Sequence, residues 1–174
     1  MSRKKLSAIA AVLTCALFAA DAHADPAKDL QVAGRGLTFL ENGPTGSAVL
    51  GIVFDSSKPA SVAEKNALMA AIGGGLSVGA LTLTGKPVDA AAVGGAGGVA
   101  ALFVTTGVNY AAVGGVAKAK KIITIGSDPA CATSGGCTMS VATEPKVEII
   151  VNRATAAAVG AVFKAAFRMM IREV

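Results

Sequence analysis

The side chains best suited to contact a ligand are short hydroxyl and carboxylate groups that directly follow strand-like apolar segments. They are Asp55, Ser56, Ser57, Thr105, Thr106, Ser127 and Asp128. In open parallel sheets, ligands bind beyond the carboxyl ends of the strands. The sequence therefore predicts that these residues bind a small polar ligand. The alternative is that they only close turns and cap helices, which require the same residue types.

Residues that could support catalysis are scarce. The only histidine is His23, so the serine and threonine hydroxyls of the rest of the chain have no histidine base to activate them. Asp55, Asp128 and Glu144 could supply a pair of carboxylates, but their spacing singles out no pair. The glycine clusters lack the Lys-Ser or Lys-Thr step of a phosphate-binding loop. We expect a protein that is not an enzyme and that holds no cofactor and no metal ion.

Two cysteines, Cys131 and Cys137, are separated by the short, flexible segment Ala-Thr-Ser-Gly-Gly. In an oxidising compartment this spacing predicts a disulfide bond. Two free, buried thiols are the alternative. A zinc site would need further ligands, which the surrounding sequence does not offer.

The N-terminal segment has the pattern of a cleaved signal peptide over residues 1–24. Basic residues at positions 3–5 precede the uncharged apolar segment Leu6–Ala20, and the small-x-small triplet Ala22–Ala24 follows. The apolar segment is shorter than the roughly 20 residues that span a bilayer, although a retained anchor is the alternative. Cys15 suggests a lipoprotein, but Thr14 is large for the residue before a lipidated cysteine. The pattern predicts export to the periplasm.

Cleavage would leave residues 25–174 as a single domain. It removes three basic residues and one acidic residue, which lowers the formal net charge from +5 to +3. A charge this small, without basic runs interleaved with aromatic residues, gives no support for nucleic-acid binding. The long uncharged stretch Ala90–Ala117 is rich in alanine and glycine, which contribute little to membrane insertion, so we do not interpret it as a membrane span.

The apolar patterns predict an α/β fold, with three layers and a mostly parallel central sheet. Three near-continuous apolar segments, Ala48–Phe54, Val99–Thr105 and Lys121–Gly126, are typical of parallel strands covered on both faces. A further strand is predicted over Leu76–Thr84, and helices over Lys28–Glu41, from Pro59 to Ile72 and over Tyr110–Lys118. The chain is predicted to end in a β-hairpin, Cys137–Thr143 with Lys146–Asn152, and a long amphipathic helix, Arg153–Val174.

Three basic residues of that terminal helix, Lys164, Arg168 and Arg172, follow one another at intervals of four. In a continuous helix they would form a basic stripe opposite the apolar face. The stripe predicts a docking surface for an acidic partner protein. A solvated helix face is the alternative interpretation.

The C-terminal half contains a characteristic order of segments: Thr124 to Asp128, Gly135-Gly136, Thr138 to Val141, Val147 to Asn152 and Gly160. In this order of segments the sequence resembles the YfiR-like family of periplasmic regulators. The resemblance implies a periplasmic protein that binds and represses a membrane-bound diguanylate cyclase, and it implies that Cys131 and Cys137 are the family's closely spaced disulfide pair.

A different class of function is the alternative: a one-lobed relative of periplasmic solute-binding proteins that works by capturing a small molecule. An envelope structural protein is a third hypothesis, but no repeat or adhesive surface favours it. The sequence also leaves open a homodimer.

Overall fold

A computed structural model of the protein describes residues 25–174. The predicted signal peptide, with Cys15 and His23, lies outside the described residues. Helices α1 to α6 span Pro26–Thr38, Pro59–Ile72, Tyr110–Lys120, Pro129–Thr133, Arg153–Val159 and Ala165–Arg168. Strands β1 to β8 span Gly46–Phe54, Leu76–Val78, Leu81–Asp89, Ala101–Val104, Ile123–Gly126, Met139–Ala142, Glu148–Val151 and Arg172–Glu173. A 3-10 helix spans Ala90–Gly95.

The strands form one sheet in the order β2-β3-β1-β4-β5-β6-β7-β8. Strands β3, β1, β4, β5 and β6 are parallel, and β2 and β7 pair antiparallel to their inner neighbours. The predicted α/β fold with a mostly parallel sheet is confirmed, and β1, β4 and β5 are its central strands as predicted. The predicted hairpin is also confirmed, because β6 and β7 are its two arms.

Alternating side chains of the central strands cover both faces of the sheet. On one face, Ile52 of β1 and Phe103 of β4 join the core beneath α1 and α2. On the other, Val53 and Leu102 pack with Val113 of α3. Helices therefore cover both faces, which explains why these strands are apolar at nearly every position.

The predicted strand Leu76–Thr84 is wrong as a single element. The chain reverses at Gly79 and Ala80, so that β2 and β3 form an antiparallel hairpin in which Val78 pairs with Leu81. Gly79 has φ of 62°, a left-handed conformation that glycine adopts without steric cost. The turn residue, inside an otherwise alternating pattern, ends the first strand.

The predicted long terminal helix Arg153–Val174 is also wrong. Asn152 does cap its start, because its side-chain oxygen accepts the backbone N–H of Thr155 at 2.8 Å. The helix then ends at Val159, since Gly160 is left-handed with φ of 76°. The following residues form an extended segment, the one-turn helix α6 and the two-residue strand β8.

Aromatic packing explains why the terminal helix does not continue beyond Val159. Phe167 is fully buried and stacks on both Phe39 and Phe163, each with ring centroids 5.1 Å away. The backbone N–H of Lys164 also donates to the carbonyl of Phe39, at 2.8 Å. A helix continued from Val159 would forfeit these contacts with the end of α1, so tertiary packing overrides the local helical pattern.

Among residues 25–174, no helix is both long and apolar enough to cross a membrane. The uncharged stretch Ala90–Ala117 divides into the 3-10 helix, β4 and the first part of α3.

Cys131 and Cys137 form a disulfide bond, with 5.0 Å between their Cα atoms. Both cysteines are fully buried against the second core face, and the backbone N–H of Cys137 donates to the carbonyl of Cys131 at 2.8 Å. The bond lies next to Gly126, where any added Cβ would contact Cys131 at 3.1 Å. The disulfide thus packs directly on the end of a central strand.

We expect the Cys131→Ala/Cys137→Ala double variant to unfold at lower urea concentration, with a loss of about 2.4 kcal/mol, because the closed loop restricts the unfolded chain. Reducing agent should lower the midpoint of the wild-type protein and leave that of the variant unchanged. Quantitative thiol labelling of both cysteines in the non-reduced, exported protein would contradict the bond.

Candidate functional site

The polar residues that follow the three central strands lie along one edge of the sheet. Because β1, β4 and β5 are parallel neighbours, their carboxyl ends bring Asp55, Thr105 and Ser127 to the same edge. The spatial grouping expected from the sequence is therefore present. The individual side chains, however, have different tasks.

Asp55, Ser56 and Ser57 form the turn after β1. One carboxylate oxygen of Asp55 accepts both the backbone N–H and the hydroxyl of Ser57, at 3.0 and 2.6 Å. The other oxygen lies 3.4 Å from the Lys58 ammonium. The Ser57 hydrogen bonds, and then Lys58, hold the pKa of Asp55 below its ordinary value. Asp55 thus stabilises the turn, which is the role expected if the strand-end residues only close turns and cap helices.

Thr105 belongs to a buried chain of hydrogen bonds. The backbone N–H of Asp55 donates to the Ser61 hydroxyl at 2.9 Å, and the Ser61 and Thr105 hydroxyls are 2.6 Å apart. The Thr105 hydroxyl donates in turn to the carbonyl of Val53 at 3.0 Å. These hydrogen bonds connect the start of α2 to β1 and to the end of β4. Both hydroxyl groups already have hydrogen-bond partners within the protein. Thr105 is structural here.

Asp128 caps α4 and binds a tyrosine. Its two oxygens accept the backbone N–H of Ala130 and the hydroxyl of Tyr110, each at 2.8 Å. Burial and then the Asp128 carboxylate raise the pKa of Tyr110, which keeps the phenol protonated as a donor. Asp128 therefore connects α3 to the disulfide-bearing helix.

Glu64, on α2, joins the two remaining residues. Its two carboxylate oxygens accept the backbone N–H of Thr106 at 2.8 Å and the hydroxyl of Ser127 at 2.6 Å. One side chain thus links the loops after β4 and β5. The sequence gives no sign of this role of Glu64, because a single acidic residue within a helical pattern is typical of a solvated position.

A cleft of about 530 Å³ opens beside Glu64, between the start of α1 and the outer face of α2. Its lining is mostly small and apolar, with four polar side chains. The lining residues are Pro26, Asp29, Ala60, Ala63, Glu64, Ala67, Leu68, Thr106 and Ser127. Clefts of this size, with few convergent polar groups, are typical of small-molecule sites.

Asp29 is the least expected residue of this cleft. Its side chain is buried, with 2% exposure, and the Thr143 hydroxyl donates to it at 2.7 Å. Burial raises its pKa, the Thr143 hydrogen bond opposes that rise, and the charge of Glu64 adds to it. Asp29 lies in the first turn of α1, where acidic residues are common, so nothing in the sequence distinguishes it as a cleft residue.

A second cavity, of about 570 Å³, lies at the opposite edge of the sheet, near the end of α1 and the β2–β3 turn. Arg35 and Lys164 lie on its wall. The Lys164 ammonium donates to the carbonyl of Thr38 at 3.3 Å. The parallel strands begin at this edge, so it lacks the polar loops that converge at their carboxyl ends.

The predicted basic stripe is wrong as a helix face, because the terminal helix is broken. Lys164 precedes α6, Arg168 ends it, and Arg172 lies in β8. The guanidinium Nε atoms of Arg168 and Arg172 pair with Glu173 and Glu148, each at 3.1 Å. The docking role of these residues stays a prediction.

Within the described residues, no group of three or more His, Cys, Asp or Glu side chains is placed to hold a metal ion.

Comparison with known proteins identifies the fold but no family. No family model matches the sequence, and no curated protein matches it. Similar solved structures include a conserved domain protein from Vibrio cholerae O1 biovar El Tor, with 11% identity and a TM-score of 0.60 over 86% of this chain and 60% of that chain.

Two further solved structures are similar to this chain. One is the ligand-free, open form of CD0873 from Clostridium difficile, a substrate-binding protein with adhesive properties (17% identity, TM-score 0.56, 84% of this chain and 58% of that chain). The other is an ABC domain from Streptococcus pneumonia in complex with L-Trp (14% identity, TM-score 0.62, 87% and 62%). At these identities the likeness shows a shared α/β fold. The chain spans about three-fifths of the length of these structures.

We expect Asp29→Asn to stabilise the protein at neutral pH. Because the pKa of Asp29 is raised in the folded state, the contribution of this residue to stability is fully present below its ordinary pKa of 3.8. That contribution is lost as the pH rises through the folded-state pKa. Asparagine still accepts the Thr143 hydrogen bond but carries no charge. In urea unfolding, the variant should match the wild type near about pH 3.5 and exceed it at about pH 7.5.

Asp89→Asn is the matched control, because the same change there should have the opposite effect. Hydrogen bonds from Ser56 and from the backbone of Ala91 lower the pKa of Asp89, so its carboxylate stabilises the fold above the ordinary value and loses that effect as the pH falls. An Asp29→Asn variant that is less stable than the wild type at neutral pH would contradict the account of Asp29.

Proposed function

We propose that this protein binds a small polar molecule in the cleft between α1 and α2 and that it does so without catalysis. The observation that carries the proposal is the bridge from Glu64 to Thr106 and Ser127, which gathers polar groups of two strand-end loops at one wall of the cleft. A ligand at this edge would contact both loops and α2 together.

The shape of the cleft supports binding. Ala60, Ala63 and Ala67 are three small residues on its α2 wall, which leaves space that larger side chains would fill. The floor is rigid, because the Ser61–Thr105 hydrogen bonds fix α2 to the sheet. A preformed site of this kind loses little conformational entropy when a ligand binds.

The similar solved structures favour this hypothesis over the others. One of them is a substrate-binding protein and another was solved with bound L-Trp. Their chains are longer than this one, so their ligands and their complete activities are not transferred to it. We propose for this protein only the general class of function, the capture of a small molecule.

We further propose that the protein works in the periplasm, after removal of residues 1–24. Two observations favour that location: the signal-peptide pattern of the N-terminal sequence and the disulfide bond between Cys131 and Cys137. The sequence from Asp25 onward contains no histidine, which favours binding over acid–base catalysis.

Repression of a membrane-bound diguanylate cyclase is a second candidate function, implied by the YfiR-like resemblance. It is favoured by exposed apolar side chains in the C-terminal segment, where Met169 is 89% exposed and Val162 and Met170 are each 60% exposed. Such side chains are suited to contact a protein partner.

If the protein represses a diguanylate cyclase, deletion of its gene should raise the cellular level of cyclic-di-GMP. An unchanged level, in a strain whose wild type expresses the protein, would count against this role.

A larger side chain that fills the cleft tests whether the cleft is the ligand site. We expect Ala67→Phe to abolish the binding of any small molecule that raises the melting temperature of the wild-type protein in a thermal-shift screen of metabolites. Ala67 is an exposed residue on the cleft wall, so the larger ring should occupy the cleft without disturbing the core.

Ala70→Phe is the matched control, since Ala70 is an exposed residue of the same helix that does not line the cleft. It should bind the same molecules as the wild type. A ligand that binds equally well to Ala67→Phe lies elsewhere and would contradict the proposed site.

A further inference from the structure

The carboxylate of Asp29 is a buried charge without a cation. The residue is 2% exposed, and its hydrogen bond comes from the neutral hydroxyl of Thr143. The five ion pairs between residues 25 and 174 all involve other side chains. Buried charges in proteins are normally paired, because desolvation without a partner is costly. Here the unpaired carboxylate lies on the wall of an open cleft.

Glu64 adds a second negative charge to the same cleft. It is partly buried, and its two oxygens accept only neutral donors, the Thr106 N–H and the Ser127 hydroxyl. The charge of Glu64 is close enough to disfavour ionisation of Asp29. Low-dielectric walls concentrate the field of such charges within a cleft. The cleft is therefore a region of negative potential.

The neighbouring lysines contact other groups. Lys65, next to Glu64 in the sequence, donates to the side chain of Asn66 and does not line the cleft. The Lys28 ammonium pairs with Glu144 at 3.1 Å and with Asp25 at 3.6 Å. The Lys58 ammonium lies 3.4 Å from Asp55 and donates to the carbonyl of Gly107. Neither Lys28 nor Lys58 lines the cleft, and the lining contains no basic residue. A carboxylate or phosphate group in the cleft would meet two carboxylates and no counter-charge.

The rest of the lining is suited to hydrocarbon. The apolar lining of the cleft, whose volume is about 530 Å³, consists of Pro26 on α1 and of Leu68 and the three alanines on α2. An ammonium group has three N–H donors, which match the carboxylates of Asp29 and Glu64 and a hydroxyl oxygen of Thr106 or Ser127. A divalent metal ion would use the same oxygens but leave the apolar wall without a function.

We propose that the ligand of this cleft is a compact organic amine, with its ammonium group bound by Asp29 and Glu64 and its hydrocarbon part against α2. The inference rests on the proposed function, which it narrows to one chemical class. Bound ammonium supplies the cation that Asp29 lacks, and a charge-assisted hydrogen bond to a carboxylate is stronger than one between neutral groups.

The test is calorimetric titration of the mature protein with three probes that share one hydrocarbon frame: benzylamine, benzyl alcohol and benzoate. We expect benzylamine to bind about tenfold or more tightly than the other two, because only it forms hydrogen bonds between opposite charges. Asp29→Asn and Glu64→Gln should each weaken benzylamine binding by about tenfold. Glu41→Gln, an equal change of charge outside this cleft, should leave it unchanged.

Asp29→Asn should be at least as stable as the wild type, so its loss of binding would not reflect misfolding. A dissociation constant for benzylamine above about 10 mM would overturn the amine proposal, as would equal or tighter binding of benzoate. Binding of Ca²⁺, added as calcium chloride alone, that is tighter than the binding of benzylamine would also overturn the amine proposal.

The two proposals fail in different ways. If the metabolite screen finds a neutral or anionic ligand whose binding Ala67→Phe abolishes, the cleft is the site and the amine assignment is wrong. If benzylamine binds Ala67→Phe as well as it binds the wild type, the amine binds elsewhere and the assignment to this cleft is overturned.

Discussion

The parallel pairing of β1 with β3 on one side and β4 on the other is the constraint on which the rest of the structure depends. Parallel strands need crossover connections, which place α2, between β1 and β3, on one face of the sheet and α3, between β4 and its parallel neighbour β5, on the other. They also bring the loops that follow β1, β4 and β5 to one edge. Glu64 can reach the loops after β4 and β5 because α2 begins after β1, the strand that pairs with β4. The cleft is thus a consequence of topology rather than of any local motif.

The polar residues near that edge have two different roles, which depend on their surroundings. Asp55, Thr105 and Asp128 are satisfied by turn, sheet and cap hydrogen bonds, so they stabilise the scaffold. Asp29 and Glu64 face the cleft instead, and Asp29 retains a buried charge that an uncharged isostere would avoid. Proteins commonly keep such destabilising groups where a ligand needs them. The stability lost at Asp29 and the proposed binding of a cation have the same physical origin.

The sequence predicted the central sheet well, because Ala48–Phe54 and the two similar segments are apolar on both faces and alternate with helical patterns. It failed where a single residue or a distant contact decides the conformation. Gly79 divides one expected strand, and Gly160 with the Phe39–Phe163–Phe167 stack ends the expected long helix. The predicted strand-end residues lie where expected, but Asp29 and Glu64 were missed. Their importance depends on burial and on loops about 40 or more residues away, which a local pattern does not encode.

If the cleft between α1 and α2 is the ligand site, benzylamine must perturb the backbone amides around it, and two-dimensional ¹H–¹⁵N NMR during a titration measures this perturbation. The Thr106 amide is hydrogen-bonded to Glu64, so a ligand that engages this carboxylate must perturb it. We expect saturable chemical-shift changes that are largest at Asp29, Thr106 and Ser127. Shifts that instead centre on Arg35 and Lys164, in the cavity at the opposite edge, would contradict this expectation.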